Sequence, residues 1–237
     1  SDFDTALKTA EALWDGQLGK IVIEGGTDEQ RTNFYTSLYH CLIAPNLISD
    51  ADERSAYSTL SLWDTYRTWN PLMTILNPKL VSDMSNTLVG MFERFGRLPI
   101  WALAGQDVDC MIGYHSVSVM ADAWLRGIRG FDGEKALEAM VRSSNLDTAS
   151  EWYNEYGYIP SDFTPESVSR TLEFCYDDWC ISRMAEALGH MDIAEEYAQR
   201  ALRYRNILDP STGFFRGRDS QGNWRTPFNP VASSRDY

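Results

Sequence analysis

Histidine and cysteine, the residues that most often advertise chemistry, are scarce here. Only His40, His115 and His190 occur, too scattered for an obvious metal cluster. His40 and His190 read as helix-surface or packing residues. The cysteines Cys41, Cys110, Cys175 and Cys180 form no CxxC pair, which argues against a zinc site. Cys175 and Cys180 sit five apart on one expected helix and point different ways, so no bond between them is expected. All four read as small buried hydrophobes. Also missing are GxSxG, a Walker loop, a dinucleotide glycine fingerprint and HExxH. Residues 219–223 lack the alternating ligands of an EF-hand loop. Positive charge is in deficit, with 21 Lys and Arg against 34 Asp and Glu and a net charge of −13. No basic stripe is available to neutralise phosphates or an anionic membrane surface, which excludes nucleic acid as a partner. The acidity itself implies little beyond solubility. No apolar run approaches a membrane span. No signal peptide or initiator Met is visible, so the chain reads as a mature or trimmed product.

What is present is a hydrophobic content of 43% with eight tryptophans, enough for a substantial core. Helical patterns dominate. A first helix is expected over 4–14, ended by Gly16 and Gly19, and a short extended piece over 20–24. The capping-box pattern Thr27-Asp28-Glu29-Gln30 opens a helix to about residue 44. A polar loop over 46–55 precedes a helix over 57–69, stopped by Asn70-Pro71. Further helices are expected over 78–95, after Gly113, over 133–143, from Thr164-Pro165 to 188, and over 192–208. Residues 147–160 read as a looser segment and 214–224 as an irregular hairpin. With no linker composition and no short repeat, 1–237 reads as a single helical domain of about eight helices. Stacked helical hairpins in a toroid or solenoid are the natural architecture.

Three stretches carry candidate chemistry. In 98–124, Trp101 is followed by Gln106, Asp107 and Asp109, then by a helix whose one face holds His115, Asp122 and Arg126. A tryptophan gives a flat apolar face and carboxylates with an amide can grip hydroxyls, which suits sugar binding. The same residues equally suit a loop that caps helices and fills core. In 166–188, Glu166, Arg170, Glu173 and Asp177 form one stripe opposite Val168, Leu172, Cys175 and Trp179, and the stripe turns apolar at Met184 and Leu188. In a toroid that places the charged end, together with Asp64 and Asp107, at a concave mouth. A solvated stripe with Glu166–Arg170 and Arg170–Glu173 pairs is the alternative. Asp177-Asp178 beside Tyr176 and Trp179 adds acid pairs next to aromatics. In 61–67, Trp63, Tyr66 and Arg67 lie on one side with Asp64 flanking, either a sugar platform or an amphipathic interface.

FYTSLYHCLIAPNL (34–47), SLWDTYRTWNPL (61–72), LPIWALAGQDVDCMIGYHSVSV (98–119), ESVSRTLEFCYDDW (166–179) and DPSTGFFRGRDSQGNW (209–224) together resemble glycoside hydrolase family 92. The resemblance implies an all-α fold, the first part of an (α/α)6 helical toroid with a minor irregular β-hairpin. It also implies an exo-acting, inverting, calcium-dependent α-mannosidase that removes terminal mannose from glycans in a secreted, periplasmic or cell-surface location. By that resemblance Trp63, Asp64, Arg67, Trp101, Gln106, Asp107, His115, Glu166, Asp177 and Asp178 bind substrate. Where many members read W-E-L-x-x-N-E-T, this chain has Trp101-Ala102-Leu103-Ala104-Gly105-Gln106-Asp107-Val108, which bears on linkage or aglycone preference. The family's His-Gly-Asn-Glu-Pro and Gly-Asn-Glu-Asp-x-Gly-Gln stretches do not occur in the sequence. The catalytic acid and base and the calcium ligands are therefore expected outside this chain, and no metal ligand within it. Twelve helices need on the order of 300 residues. The chain alone is expected to be inactive, its apolar flanks covered by the rest of the domain or by self-association. A trehalase- or glucoamylase-like toroid enzyme and a non-catalytic helical binding module are the alternatives.

Overall fold

The computed structural model describes residues 2–50 and 56–232, so the expected loop over 46–55 lies partly outside the described residues. The chain divides into two compact units, 1–46 and 47–237. Among the described residues ten α-helices are joined by short antiparallel strand pairs, an all-α fold with minor β structure.

In the first unit α1 is Phe3–Leu18, capped by the Asp2 side chain, which accepts the Thr5 N–H. It runs through Gly16, where an end was expected. One glycine in a helix interior costs only about 1 kcal/mol, and the helix stops at Gly19, the second of the two expected end residues. Residues 20–24 form no strand. The Tyr35 hydroxyl donates to the Ile21 carbonyl of this segment. The capping box forms as expected: Gln30 N–H donates to Thr27 Oγ1, and Thr27 N–H to the Gln30 side chain. It opens α2, Asp28–Cys41.

The second unit departs most from expectation over 57–69. Instead of a helix there are short strands, with Asn46–Leu47 (β1) at the unit boundary, then Tyr57–Ser58 (β2) and Leu60–Ser61 (β3). A four-residue helix, Leu62–Thr65 (α3), follows. Strand pairing overrode the helical pattern: Leu60 and Ser61 pair with Ala102 and Trp101 of β4, Trp101–Leu103, which buries Leu60, Leu62 and Ala102. Strand β4 pairs in turn with β5, Gln106–Asp107, so this stretch is a hairpin rather than a loop. Its turn residues Ala104 and Gly105 both have positive φ, 50° and 77°, the geometry of the tightest hairpin turn. Asn70-Pro71 does not stop a helix but lies in the first turn of α4, Trp69–Leu76, where a missing N–H costs nothing.

Helix α5, Pro78–Phe95, matches its expected bounds: the Asn77 side chain accepts the Leu80 N–H, and Gly96 closes it at φ 82°. Val81, Met84, Leu88 and Phe92 bury one face at helical spacing. Then come α6 (Ser116–Leu125), α7 (Gly133–Ser143, capped by Asp132) and α8 (Thr148–Tyr156). The segment expected to be loose is thus a helix, because the Asp147 side chain caps it at Ser150 N–H and Gly157 ends it. Helix α9, Ser167–Leu188, is the spine of the unit, packed chiefly on α10 (Met191–Ala201) and α6 and also touching α7. It begins after Glu166, two residues later than Thr164-Pro165 suggested, and ends at Gly189 as expected. The last helix gives way at Leu202–Ile207 to a 3-10 turn. Strands β6 (Leu208–Asp209) and β7 (Phe214–Phe215) then pair. Cys175 and Cys180 are buried and free, but Cys110 is exposed and Cys41 only half-buried, so not all four are core hydrophobes.

Candidate functional site

The site is assembled on the spine helix. Four groups from two distant parts of the sequence converge on the Glu173 carboxylate, three as hydrogen-bond donors and His115 as a charge partner. Trp63 Nε1 reaches one oxygen over 3.4 Å and Arg67 Nη2 the same oxygen over 3.2 Å. The Tyr66 hydroxyl reaches the other oxygen over 3.2 Å, and His115 Nε2 stands 3.0 Å from it. The strand β3 that displaced the expected helix is what aims α3, and so Trp63, at α9. His115 stands at the entrance of α6, buried to 1% exposure, with its ring stacked under Tyr66 at 4.0 Å and 7°. Its Nδ1 stands 3.0 Å from Asp177 Oδ1, and Asp177 Oδ2 accepts the Tyr114 N–H over 2.8 Å. Both ring nitrogens are at charge-pair distance, although neither N–H points straight at its oxygen. Gly113, at φ 77°, leaves the room: a Cβ there would stand 2.6 Å from His115 Nε2 and 3.1 Å from Glu173 Cβ.

Charge is distributed unevenly through this cluster. Burial alone would depress the His115 imidazole, but Asp177 and Glu173 outweigh it and raise it to about 9. The ring is therefore cationic at neutral pH. Burial lifts Glu173, but His115, Arg67 and Trp63 outweigh that and bring it below the usual carboxylate range. Burial pushes Asp177 up against the pull of His115 and the Tyr114 N–H. Burial and Glu173 push the Tyr66 hydroxyl up to about 12, so it remains a donor. Beside the cluster lies an open recess of about 590 Å³ whose walls include Tyr66, Arg67, Asp122, Glu173 and Tyr176.

A second, shorter chain runs along the strands. Trp101 Nε1 donates to Ser61 Oγ over 2.7 Å, and Ser61 Oγ donates to the exposed Asp64 carboxylate. Trp101 and Asp64 are thus joined through one hydroxyl. Asp107 is attached to the same strands but serves them. One oxygen accepts the N–H groups of Ile100, Trp101 and Asp109, and the other pairs with Arg97 at 2.7 Å.

Of the expected substrate-binding residues, Trp63, Arg67, His115 and Asp177 come together around Glu173, and Asp64 stands next to Trp63 in sequence. His115 and Asp177 are buried, however, so neither lines a mouth. Gln106 is exposed on β5. Glu166 stands at the start of α9, 3.7 Å from Arg170. Asp178 faces away from the recess into the core, where it accepts from Tyr114 and Tyr153 hydroxyls, each at 2.9 Å, and from Arg200 Nε at 3.1 Å. Trp179, opposite the polar stripe of α9, is 50% exposed, while Asp177 of that stripe is wholly buried. Glu173, the centre of the cluster, was not singled out as a binding residue. Its signal was its spacing, one helical turn before Asp177, with His115 as a shared cation.

An acid cluster with tryptophan and tyrosine beside an open recess, on an all-α scaffold, is an arrangement suited to sugar binding. The model of the glycosyl hydrolase family 92 catalytic domain matches residues 1–237, and the chain belongs to that family. It is similar to an inverting family 92 mannosidase from Bacteroides thetaiotaomicron VPI-5482, with 36% identity and a TM-score of 0.94, over 98% of this chain and 35% of that one. A family 92 α-mannosidase from Bacteroides thetaiotaomicron is 40% identical with a TM-score of 0.93, over 98% of this chain and 34% of that one. That enzyme has also been solved in complex with mannoimidazole. A protein of Arthroderma benhamiae described as an uncharacterized secreted glycosidase is 25% identical over 92% of this chain and 28% of its own length. The chain spans about a third of the length of the solved relatives.

Calcium takes roughly six to eight oxygen ligands. Among the described residues no group of three or more His, Cys, Asp and Glu could hold a metal. Glu173 accepts from Trp63, Tyr66 and Arg67, Asp177 Oδ2 accepts the Tyr114 N–H, and each carboxylate stands 3.0 Å from the cationic His115. These residues do not fit a calcium ion, and no step is derived through one. Among the described residues no helix is long and apolar enough to cross a membrane.

Proposed function

We propose that this chain forms the sugar-binding portion of an exo-acting, inverting α-mannosidase. Its substrate is terminal α-linked mannose on glycans, in a secreted, periplasmic or cell-surface setting. In this reading the helices belong to an (α/α)6 toroid, and calcium is held by groups other than the clusters described above. The observation that carries the proposal is the oriented Asp64 carboxylate. It is fixed by Ser61 and Trp101 and follows Trp63, whose indole is tied to the wall of an open recess. A fixed carboxylate accepts sugar hydroxyls, and the flat faces of Trp63 and Trp101 offer apolar cover. Arg67, with its side chain 59% exposed, supplies donors.

Inversion needs a carboxylic acid to protonate the leaving oxygen and a carboxylate across the ring to activate water. Glu173 is unsuited to the first role, since its neighbours favour the ionised form. Asp177 is sealed from solvent. We assign the residues of this chain to binding and orientation, and neither catalytic carboxylate to them.

The test uses the protein at its native length. Asp64→Ala should lower kcat/KM on an aryl α-mannoside by about five- to a hundredfold, the worth of roughly 1–3 kcal/mol for a hydrogen bond to a charged group. Glu195→Ala, an exposed acid on α10, should leave it unchanged. Equal activity of the two variants at equal folded fraction would reject the assignment.

A further inference from the structure

We propose that His115 is a positioning residue: by bridging Asp177 and Glu173 it holds the Glu173 carboxylate so that Trp63, Tyr66 and Arg67 form one wall facing the sugar. The inference rests on the α-mannosidase reading and assigns the Glu173 cluster a task within it.

Three observations carry it. First, the Glu173 oxygens are already engaged by groups of this chain. Of the roughly four lone-pair sites a carboxylate offers, three accept from Trp63, Arg67 and Tyr66, and His115 Nε2 stands 3.0 Å from one oxygen as a charge partner. Glu173 thus acts through what it holds. Of these four groups Arg67 is the one turned to solvent, its guanidinium also 4.9 Å above the Tyr66 ring. Second, Glu173 and Asp177 stand one turn apart on the same helix, where two unscreened carboxylates repel. His115, 3.0 Å from each, is the cation between them. Third, the ring cannot turn away: Tyr66 stacks on its face and the missing Cβ of Gly113 leaves space for its edge. The groups that face it are Glu173, Asp177 and Tyr176 from α9, Tyr66 and Arg67 from the α3 side, and its own neighbour Tyr114. Loss of the His115 proton leaves two carboxylates with no cation between them. Glu173 then shifts, and Arg67 loses its anchor.

The experiment uses the protein at native length with an aryl α-mannoside, together with nuclear magnetic resonance of the His115 imidazole. The imidazole should titrate near 9. KM should rise above that pH while kcat changes little. His115→Gln should raise KM about tenfold at neutral pH and flatten its alkaline rise. Arg67→Ala should raise KM similarly, and the double variant should be no worse than either single one, since both changes break one chain of contacts. An imidazole titrating at or below about 6.5 overturns the proposal, as do KM effects that multiply in the double variant. Should His115→Gln not fold, the wild-type KM profile and the surface variant Arg67→Ala decide: a flat profile, or an unchanged KM, overturns it. Absence of turnover on aryl α-mannosides would defeat the α-mannosidase reading instead, while the imidazole titration still decides whether His115 keeps its proton between the two acids.

Discussion

Asp177 and Asp178 are adjacent in sequence, equally buried and both paired with a cation, yet they belong to different regions of the molecule. Asp177 meets an imidazole at the edge of a solvent-open recess. Asp178 meets a guanidinium in the core, with two tyrosine hydroxyls filling its remaining positions. His115, raised to about 9, can lose its charge in mildly alkaline solution, and an arginine cannot. The site cluster is therefore pH-sensitive and the core cluster is fixed. Tyr114 connects them, giving its backbone N–H to Asp177 and its hydroxyl to Asp178. The titratable charge thus lies beside the open recess and the permanent charge in the core.

The comparison can be broken most forcefully at Asp178. Asp178→Ala strands Arg200, which is 5% exposed, and should cost about 3–5 kcal/mol, a fall in Tm on the order of 10 °C. A Tm within a degree or two of wild type would place the weight elsewhere. Next comes pH. The folded-state value of His115 lies above the unfolded one, so its contribution is fully present below about pH 6.5 and lost as pH rises through about 9. Melting followed across that window should lose on the order of 2–3 kcal/mol. His115→Gln should remove that slope, whereas Asp178→Ala should keep it. Gly113→Ala is smaller, about 1–3 kcal/mol, because a side chain at φ 77° is strained and its Cβ collides with His115. Denaturant midpoints measure it, and a neutral result would mean that the ring moves freely. The smallest effect on stability is Arg67→Ala, within about 1 kcal/mol for an exposed pair, even though the same change should impair substrate binding.

The sequence was most legible where local chemistry decides. Thr27 with Gln30, Asn77-Pro78, Asp132, Gly96 and Gly189 mark helix ends that form as expected, because caps need only neighbours. It misled where distant partners decide. Residues 57–69 carry a helical pattern, but Leu60 and Ser61 pair with residues some forty positions away. Site residues were legible by type and illegible by direction. Asp177 and Asp178 looked like one acid pair, yet successive residues on a helix point about 100° apart. Glu173 had only its spacing to recommend it, since its three donors and its histidine partner come from distant parts of the sequence. The family membership was readable in the motifs; the division of labour within them required coordinates.

The hydroxyl of Ser61 accepts the indole N–H of Trp101 and donates its own O–H to Asp64, so two strands and a carboxylate are aligned by a single oxygen. For an engineer this is a remote dial. Ser61→Thr or Ser61→Ala alters how firmly Asp64 is aimed without removing any group expected to touch a sugar, and variants at this position offer a graded series in selectivity rather than an on-or-off loss.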